Sequence, residues 1–421
     1  MTDKIQVPRS TPGRYRPYPS YKDSGVEWLG KIPEYWKTLA LKRICRLGYG
    51  DSLAADERRD GDFEVYGSNG PVGVHHRSNS LGPCLVVGRK GSFGKINYSQ
   101  NPVFAIDTTF FIDSRYSSVD LRWLYFALTW LRLDSISKDS AIPGLDREDA
   151  YACFVPVCSV EEQREVASFL DRETAKIDAL IEKKEQLIDL LQEKRTALIT
   201  QAVTKGLDPT VPMKYSGVEW LGNIPEHWAI VSNKKLFEDS DIRSDYGDEE
   251  LLTVSHLSGI TRHSEKNVTM IEAESYEDYK ICRAGELAIN TMWAWMGALG
   301  MAKENGIVSP SYNVYALRTS FLDPRYYDYL CRTPLHIAEL TRYSKGIWKS
   351  RLRLYPDGFF EISTPLPPIN EQERIADQLD NAVRKIDGLL MTIRRALGCL
   401  KEYRTALISA AVTGKIDLRE A

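Results

Sequence analysis

Two stretches gather cationic side chains in a pattern suited to gripping a polyanion. Arg342 to Arg353 holds Arg342, Lys345, Lys349, Arg351 and Arg353 with no acidic residue among them, and interleaves Tyr343 and Trp348. An arginine can donate pairwise to guanine O6 and N7, and a lysine neutralises phosphate. Gly346 would hinge such a loop; the alternative is a solvated helix end. Gly88 to Lys95 is the clearest candidate in the first half. Its three glycines would let backbone approach a phosphate, while Arg89, Lys90 and Lys95 bring charge and Ser92 a hydroxyl; a solvated β-turn is the alternative. Asn69, within Tyr66 to Gly70, and Arg77 are read either as lining the same surface or as plain turn residues. Lys138 to Arg147, less basic and containing Pro143 and Gly144, is the positional counterpart of the second-half loop, and Lys138 is counted among its contacts. Asn290 has the amide that reads adenine, and Trp293 or Trp295 would stack on an opened base, with core packing as the competing role for the tryptophans.

Bond-breaking chemistry finds no comparable support. No Ser/His/Asp or Cys/His set can be assigned, and Pro356-Asp357 is not followed by the E-x-K of a nuclease metal site. Gly94 stands six positions after Gly88, where a Walker A loop requires five, and Ile96 replaces its Ser or Thr. The seven cysteines include no C-x-x-C pair and the six histidines are scattered, so no metal is expected, and free thiols fit a reducing cytoplasm. A net charge of −3 argues against a polybasic protein. Basic and acidic residues number 21 and 18 in 1–158, 8 and 11 in 159–212, 17 and 21 in 213–368, and 9 and 8 in 369–421. Any polyanion site is therefore a local patch. The N-terminus lacks the apolar run of a secretory signal, and no segment approaches the ~18 apolar residues of a membrane helix, so no membrane partner is expected.

What positions those loops is written twice. The phrase SGVEWLG-x-IPE-x-W spans Ser24 to Trp36 and returns at Ser216 to Trp228, differing at Lys31 against Asn223 and Tyr35 against His227. A second repeat runs from Glu162-Gln163 to Ala202-Val203-Thr204, and again from Glu371-Gln372 to Ala411-Val412-Thr413. The chain is thus a tandem duplication in which similar and dissimilar segments alternate. The opening phrase does not vary with the segment it opens, so it reads as structural, an anchor for each segment on the helices. In the second repeat, Ile177, Leu180, Ile181, Leu187, Ile188, Leu191, Leu198 and Ala202 recur at three- and four-residue spacing, as do Ile386, Leu389, Leu390, Ile393, Leu397, Leu400, Leu407, Ile408 and Ala411. That is the apolar stripe of a helix packed along its length on a partner. Ser159 and Asn370 read as N-caps, and Gly206 ends the first helix. Each helix of about 40 residues would extend about 60 Å, and connections through a whole domain would set the pair antiparallel. The dissimilar segments hold short β runs at 84–87, 103–106, 109–112 and 312–317, then helices at 121–133 and 325–341. The expected fold is α+β, a pseudo-two-fold tandem repeat with small α/β domains at 1–158 and 213–368 and helical regions at 159–212 and 369–421.

Dissimilar domains opened by G-x-E-W-L-G-x-I-P-x-x-W, each followed by E-Q-x-x-I/V-A and a helix ending R-x-A-L-I-x-x-A-V-T, resemble the specificity subunit of a type I restriction–modification enzyme over essentially the whole chain. The resemblance implies two target recognition domains, each reading one half of a bipartite, asymmetric site in double-stranded DNA. It implies that the helices form an antiparallel coiled coil that fixes the spacing and docks two adenine N6-methyltransferase subunits, which restriction/translocase subunits join. No cofactor would reside in this chain; the methyltransferase partner would use S-adenosylmethionine and the nuclease partner ATP and Mg2+. The methyltransferase motif N/D-P-P-Y/F is absent, since the only Pro-Pro, Pro367-Pro368, precedes Ile. A non-catalytic subunit is therefore expected. A DNA reader in a single-partner restriction system and a coiled-coil scaffold that binds only proteins are the other readings, and the basic glycine loops favour the DNA readers.

Overall fold

In this computed structural model the described residues are 15–136, 144–256, 258–265, 275–348 and 351–419. They form two compact units: unit 1 comprises Met1–Lys184 with Arg394–Ala421, and unit 2 comprises Glu185–Ile393. Two long helices, Val160–Lys205 and Ile369–Val412, each begin in one unit and end in the other. Ser159 caps the first, its Oγ accepting from the Glu162 amide at 3.3 Å. Gly206, at φ 80°, takes the left-handed conformation that closes the last turn. Asn370 does not cap the second helix, which already begins at Ile369; the Pro368 carbonyl accepts the amides of Glu371 and Gln372 instead. The proline ring presets a helical φ, so the chain turns into the helix before the asparagine is reached.

In the second helix Ile386, Leu390, Ile393, Leu397, Leu407, Ile408 and Ala411 are buried and Leu400 half-buried, whereas Leu389 is exposed. In the first helix Ile177 is buried and Leu191 half-buried, but Leu180, Leu187 and Leu198 are exposed. The covered face runs through Ile177, Ile181, Lys184, Ile188, Leu191, Arg195 and Ile199. Each exposed leucine stands one residue before a covered position, about 100° round the helix. Lys184 and Arg195 are half-buried on the covered face, where a long aliphatic stem can stand in for an apolar side chain.

In unit 1 the first part of one long helix meets the last part of the other. Ile177 and Ile181 share a core with Leu400, Leu407 and Ile408, and Arg404 grips Asp178 with two bonds of 2.8 and 3.1 Å. Unit 2 repeats the arrangement with Ile199, Ala202 and Val203 against Ile375 and Leu379, and Arg195 lies 3.3 Å from Asp387.

Each unit carries a four-stranded antiparallel sheet in the same strand order. In unit 1 the order is Gly48–Tyr49, Thr109–Asp113, Cys84–Gly88, Ile96–Ser99; in unit 2 it is Phe237–Ser240, Asn313–Leu317, Leu287–Ile289, Leu299–Met301. The middle strands Cys84–Gly88 and Thr109–Asp113 are buried along their whole length, which is why they read as continuous apolar runs without alternation. In unit 1 the helix Leu121–Leu131 lies against this sheet, capped by Asp120, and Phe63–Gly67 with Gly70–His75 forms a hairpin beside Phe104–Ala105. In unit 2 the single helix expected over 325–341 is two, Pro324–Cys331 and Pro334–Tyr343. Pro334 has no amide to continue the first, and Thr333 Oγ1 caps the second by accepting from His336 at 3.2 Å.

The repeated residues are fasteners. Buried Glu162 accepts from the Tyr18 hydroxyl at 2.6 Å and the Trp36 indole at 3.2 Å. Burial, with that carboxylate beside it, holds the Tyr18 phenol well above its ordinary range. Gln163 accepts from the Asp120 amide at 2.8 Å and donates to the Cys158 carbonyl at 2.9 Å, so it joins the start of the long helix to the start of Leu121–Leu131. In unit 2, Gln372 accepts from the Asp323 amide at 2.9 Å and donates to the Phe321 and Pro367 carbonyls, both at 2.8 Å. Glu371 meets His227 at 2.7 Å. The far helix ends close the joint: Lys415 Nζ donates to the Lys31 carbonyl at 2.7 Å in unit 1, and Lys205 Nζ donates to the equivalent Asn223 carbonyl in unit 2. Trp36 and Trp228 are fully buried in these joints.

Candidate nucleic-acid interface

In unit 1 the Gly88–Lys95 segment connects two neighbouring strands of the central sheet, Cys84–Gly88 and Ile96–Ser99. The backbone is largely committed: the amides of Gly88, Arg89, Lys90, Phe93 and Gly94 all donate to main-chain carbonyls. The glycines therefore serve the turn itself and close packing more than phosphate approach. Gly91 and Gly94 sit at φ 73°, and a Cβ on Gly94 would come within 2.2 Å of the Asp134 nitrogen. Side chains are what this loop offers. Lys90, Ser92 and Lys95 are exposed. Lys95 Nζ donates to the Asn69 carbonyl and Oδ1 at 2.7 and 2.8 Å, which ties the loop to the hairpin turn and brings those two predicted residues together. Arg77 is exposed and donates to His76 at 3.3 Å. Lys138 lies outside the described residues.

Sequence reasoning missed the aromatic partner of this loop. Arg89 lies over the Tyr49 ring, 5.2 Å from its centroid, and 5.9 Å from that of Phe110. Arg147 lies 5.1 Å from the same Tyr49 ring. Tyr49 is in the first strand of the sheet and Arg147 opens a short helix after the 144–146 segment, so only the tertiary fold unites them.

In unit 2 the structure joins the two predicted segments. Lys345 and Arg353 form an antiparallel bridge with bonds of 2.8 and 2.9 Å. The Leu354 amide donates to the Thr291 carbonyl at 3.0 Å, and Arg353 approaches Met292 Sδ at 3.5 Å. Ile347 and Trp348, 94 and 69 % exposed, project beyond the bridge. Trp293 is 47 % exposed and stacks on His256 with planes 15° apart. Asn290, by contrast, is only 8 % exposed, and its amide and carbonyl form the turn with Ala298 and Trp293, so its side chain is not presented to a base. It directly follows the buried strand Leu287–Ile289, at the start of the turn. Lys349 lies outside the described residues.

The charges there are not equivalent. Arg342 makes two bonds to Glu339, at 2.8 and 2.6 Å, which raise its pKa, and it also covers the Tyr343 ring at 4.3 Å. Lys345 pairs with Asp357 at 2.7 Å and holds that carboxyl below its ordinary range. Arg351 and Arg353 are exposed and, among the described residues, pair with no carboxylate. Glu339, three residues before Arg342 on a helix, was legible as a partner; Asp357 was not. Among the described residues no cluster of His, Cys, Asp or Glu is arranged to hold a metal, and no helix is long and apolar enough to cross a membrane.

The chain with this α+β fold has named counterparts. No family model matches the chain. It is 22 % identical over 327 residues, 73 % of each chain, to the type I restriction enzyme MjaVIII specificity subunit of Methanocaldococcus jannaschii. It is 22 % identical over 430 aligned positions, 92 % of this chain and 90 % of the other, to the EcoDI specificity subunit of Escherichia coli. A solved chain from work on assembly and conformational transition of the type I R-M system shares the fold at a TM-score of 0.60 and 15 % identity, covering 91 % of this chain and 99 % of that one. The resemblance carried by the repeated phrases is thus shown: the curated relatives across most of the chain are type I restriction enzyme specificity subunits.

Proposed function

We propose that this chain is the DNA-binding specificity subunit of a type I restriction–modification complex. Residues 1–158 and 213–368 act as target recognition domains, each reading one half of a bipartite, asymmetric site. The long helices form an antiparallel coiled coil that sets the half-site spacing and docks two adenine methyltransferase subunits, with restriction subunits joining that assembly in the cytoplasm. The subunit itself is non-catalytic; S-adenosylmethionine, ATP and Mg2+ belong to its partners. The observation that carries this reading is the division of labour in the chain. Residues that repeat, such as Glu162, Gln163 and Trp36, fasten helices to domains. Residues that do not repeat, such as Arg89, Arg351, Arg353 and Trp348, make the cationic and aromatic surfaces. Exposed Leu187, Leu190 and Leu198 on the first long helix supply apolar surface for a partner within unit 2. Co-purification with a methyltransferase followed by sequencing of modified bases tests the proposal. It predicts a bipartite motif with modified adenines; a complex that leaves no such motif and binds DNA without salt dependence refutes it.

A further inference from the structure

We propose that Arg89, held over the Tyr49 ring beside Arg147, is the group through which unit 1 recognises a guanine in the major groove; the inference rests on the DNA-reading function above. The backbone of Arg89 is pinned on both sides, its amide donating to the Thr108 carbonyl and its carbonyl accepting from the Leu145 amide, each at 2.9 Å. The guanidinium is then oriented by the Tyr49 and Phe110 rings at 5.2 and 5.9 Å. The cation–π contact with these rings restrains the guanidinium and takes none of its N–H donors. Among the described residues only the Asp107 carbonyl takes one of those donors, at 3.3 Å, and no carboxylate pairs with Arg89. Most of its five N–H donors therefore remain for a ligand.

Tyr49 is itself 49 % exposed and Arg89 half-buried, so the pair reaches the surface. Arg147, over the same ring, keeps a buried Nε without a hydrogen-bond partner among the described residues, with Glu148 Oε1 3.7 Å away. A preoriented planar fork needs two acceptors side by side, and guanine alone presents two on its major-groove edge. The other cations of this surface are less suited: Lys95 is tied to Asn69, and Lys90 offers a point charge.

The test uses the duplex defined by sequencing of modified DNA, with each guanine replaced in turn by 7-deazaguanine, which lacks the N7 acceptor. Assembled complexes carrying the wild-type chain, Arg89→Lys or Tyr49→Leu are titrated against each duplex. At one guanine the replacement weakens wild-type binding about tenfold. Arg89→Lys weakens binding to the natural duplex to a similar extent and is indifferent to the same replacement, whereas guanines of the other half-site keep their effect. Tyr49→Leu, which frees the fork, gives an intermediate loss. Matching urea midpoints show that the variants are folded. The inference is overturned if no guanine is sensitive, or if Arg89→Lys keeps the wild-type sensitivity. A complex that binds no duplex in a salt-dependent way overturns the DNA-reading function as well, an outcome distinct from tight binding without a sensitive guanine.

Discussion

Replacing Gln372 with leucine tests whether the repeated Glu-Gln pair fastens each domain to its helix. The side chain is fully buried and makes three bonds, from the Asp323 amide at 2.9 Å and to the Phe321 and Pro367 carbonyls at 2.8 Å. A buried hydrogen bond contributes about 1 kcal/mol net, and a group left orphaned without water costs more, so the expected loss is about 3 kcal/mol or slightly above. Gln163 makes two such bonds, and Gln163→Leu should lose about 2 kcal/mol. Urea unfolding gives the stability of each variant, and hydrogen exchange at the Asp323 and Asp120 amides reports the joint itself. With tenfold per 1.4 kcal/mol, exchange at Asp323 should accelerate about a hundredfold in Gln372→Leu. Two variants within about 0.5 kcal/mol of wild type, or a larger loss at Gln163 than at Gln372, would refute the reasoning.

Other expectations concern charge, titration, thiols and spacing. Arg351→Ala with Arg353→Ala should weaken binding of the cognate duplex by about tenfold or more and lower the salt slope by about two, whereas Arg342→Ala, already neutralised by Glu339, should change affinity by less than about threefold; filter binding at several salt concentrations separates them. His336 is fully buried between Trp220 and Tyr327, and burial pushes its pKa down to about 4. Its folded-state pKa lies below the unfolded value of about 6.5, so stability is fully present above that value and declines as pH falls towards 4, by up to about 3 kcal/mol; urea midpoints in His336→Leu should lack that slope. Cys399 is the one exposed cysteine of seven, so a thiol reagent should label one site quickly and Cys399→Ser should abolish that phase. Inserting four residues near Glu185 in the first long helix should change the gap in the modified motif or abolish assembly; an unchanged motif at full activity counts against the spacing role.

The scaffold was more legible than the surface. Helix ends at Ser159 and Gly206 follow from cap chemistry that acts locally, and the sheet strands announce themselves because double-sided burial demands unbroken apolar runs. On the first long helix the spacing picks out the covered Ile177, Ile181, Ile188, Leu191 and Ala202, but it also takes in Leu180, Leu187 and Leu198, which flank that face, and it passes over Lys184 and Arg195, because apolar spacing alone does not see a lysine stem. The surface residues depend on neighbours distant in sequence. Asn290 is polar yet buried by its turn, Lys345 is compensated by Asp357, and Tyr49 meets Arg89 and Arg147 only through the folded sheet.

The discontinuity of unit 1 sets an order on its birth at the ribosome. Residues 15–184 emerge before any of unit 2, yet their core lacks Leu407, Ala411, Val412, Ile416 and Leu418 until residues 394–421 follow. Unit 2 is one continuous stretch, Glu185–Ile393, and can finish first, reversing the usual N-terminal-first order of domain maturation. Throughout translation of unit 2 the nascent unit 1 therefore lacks those five residues of its final core.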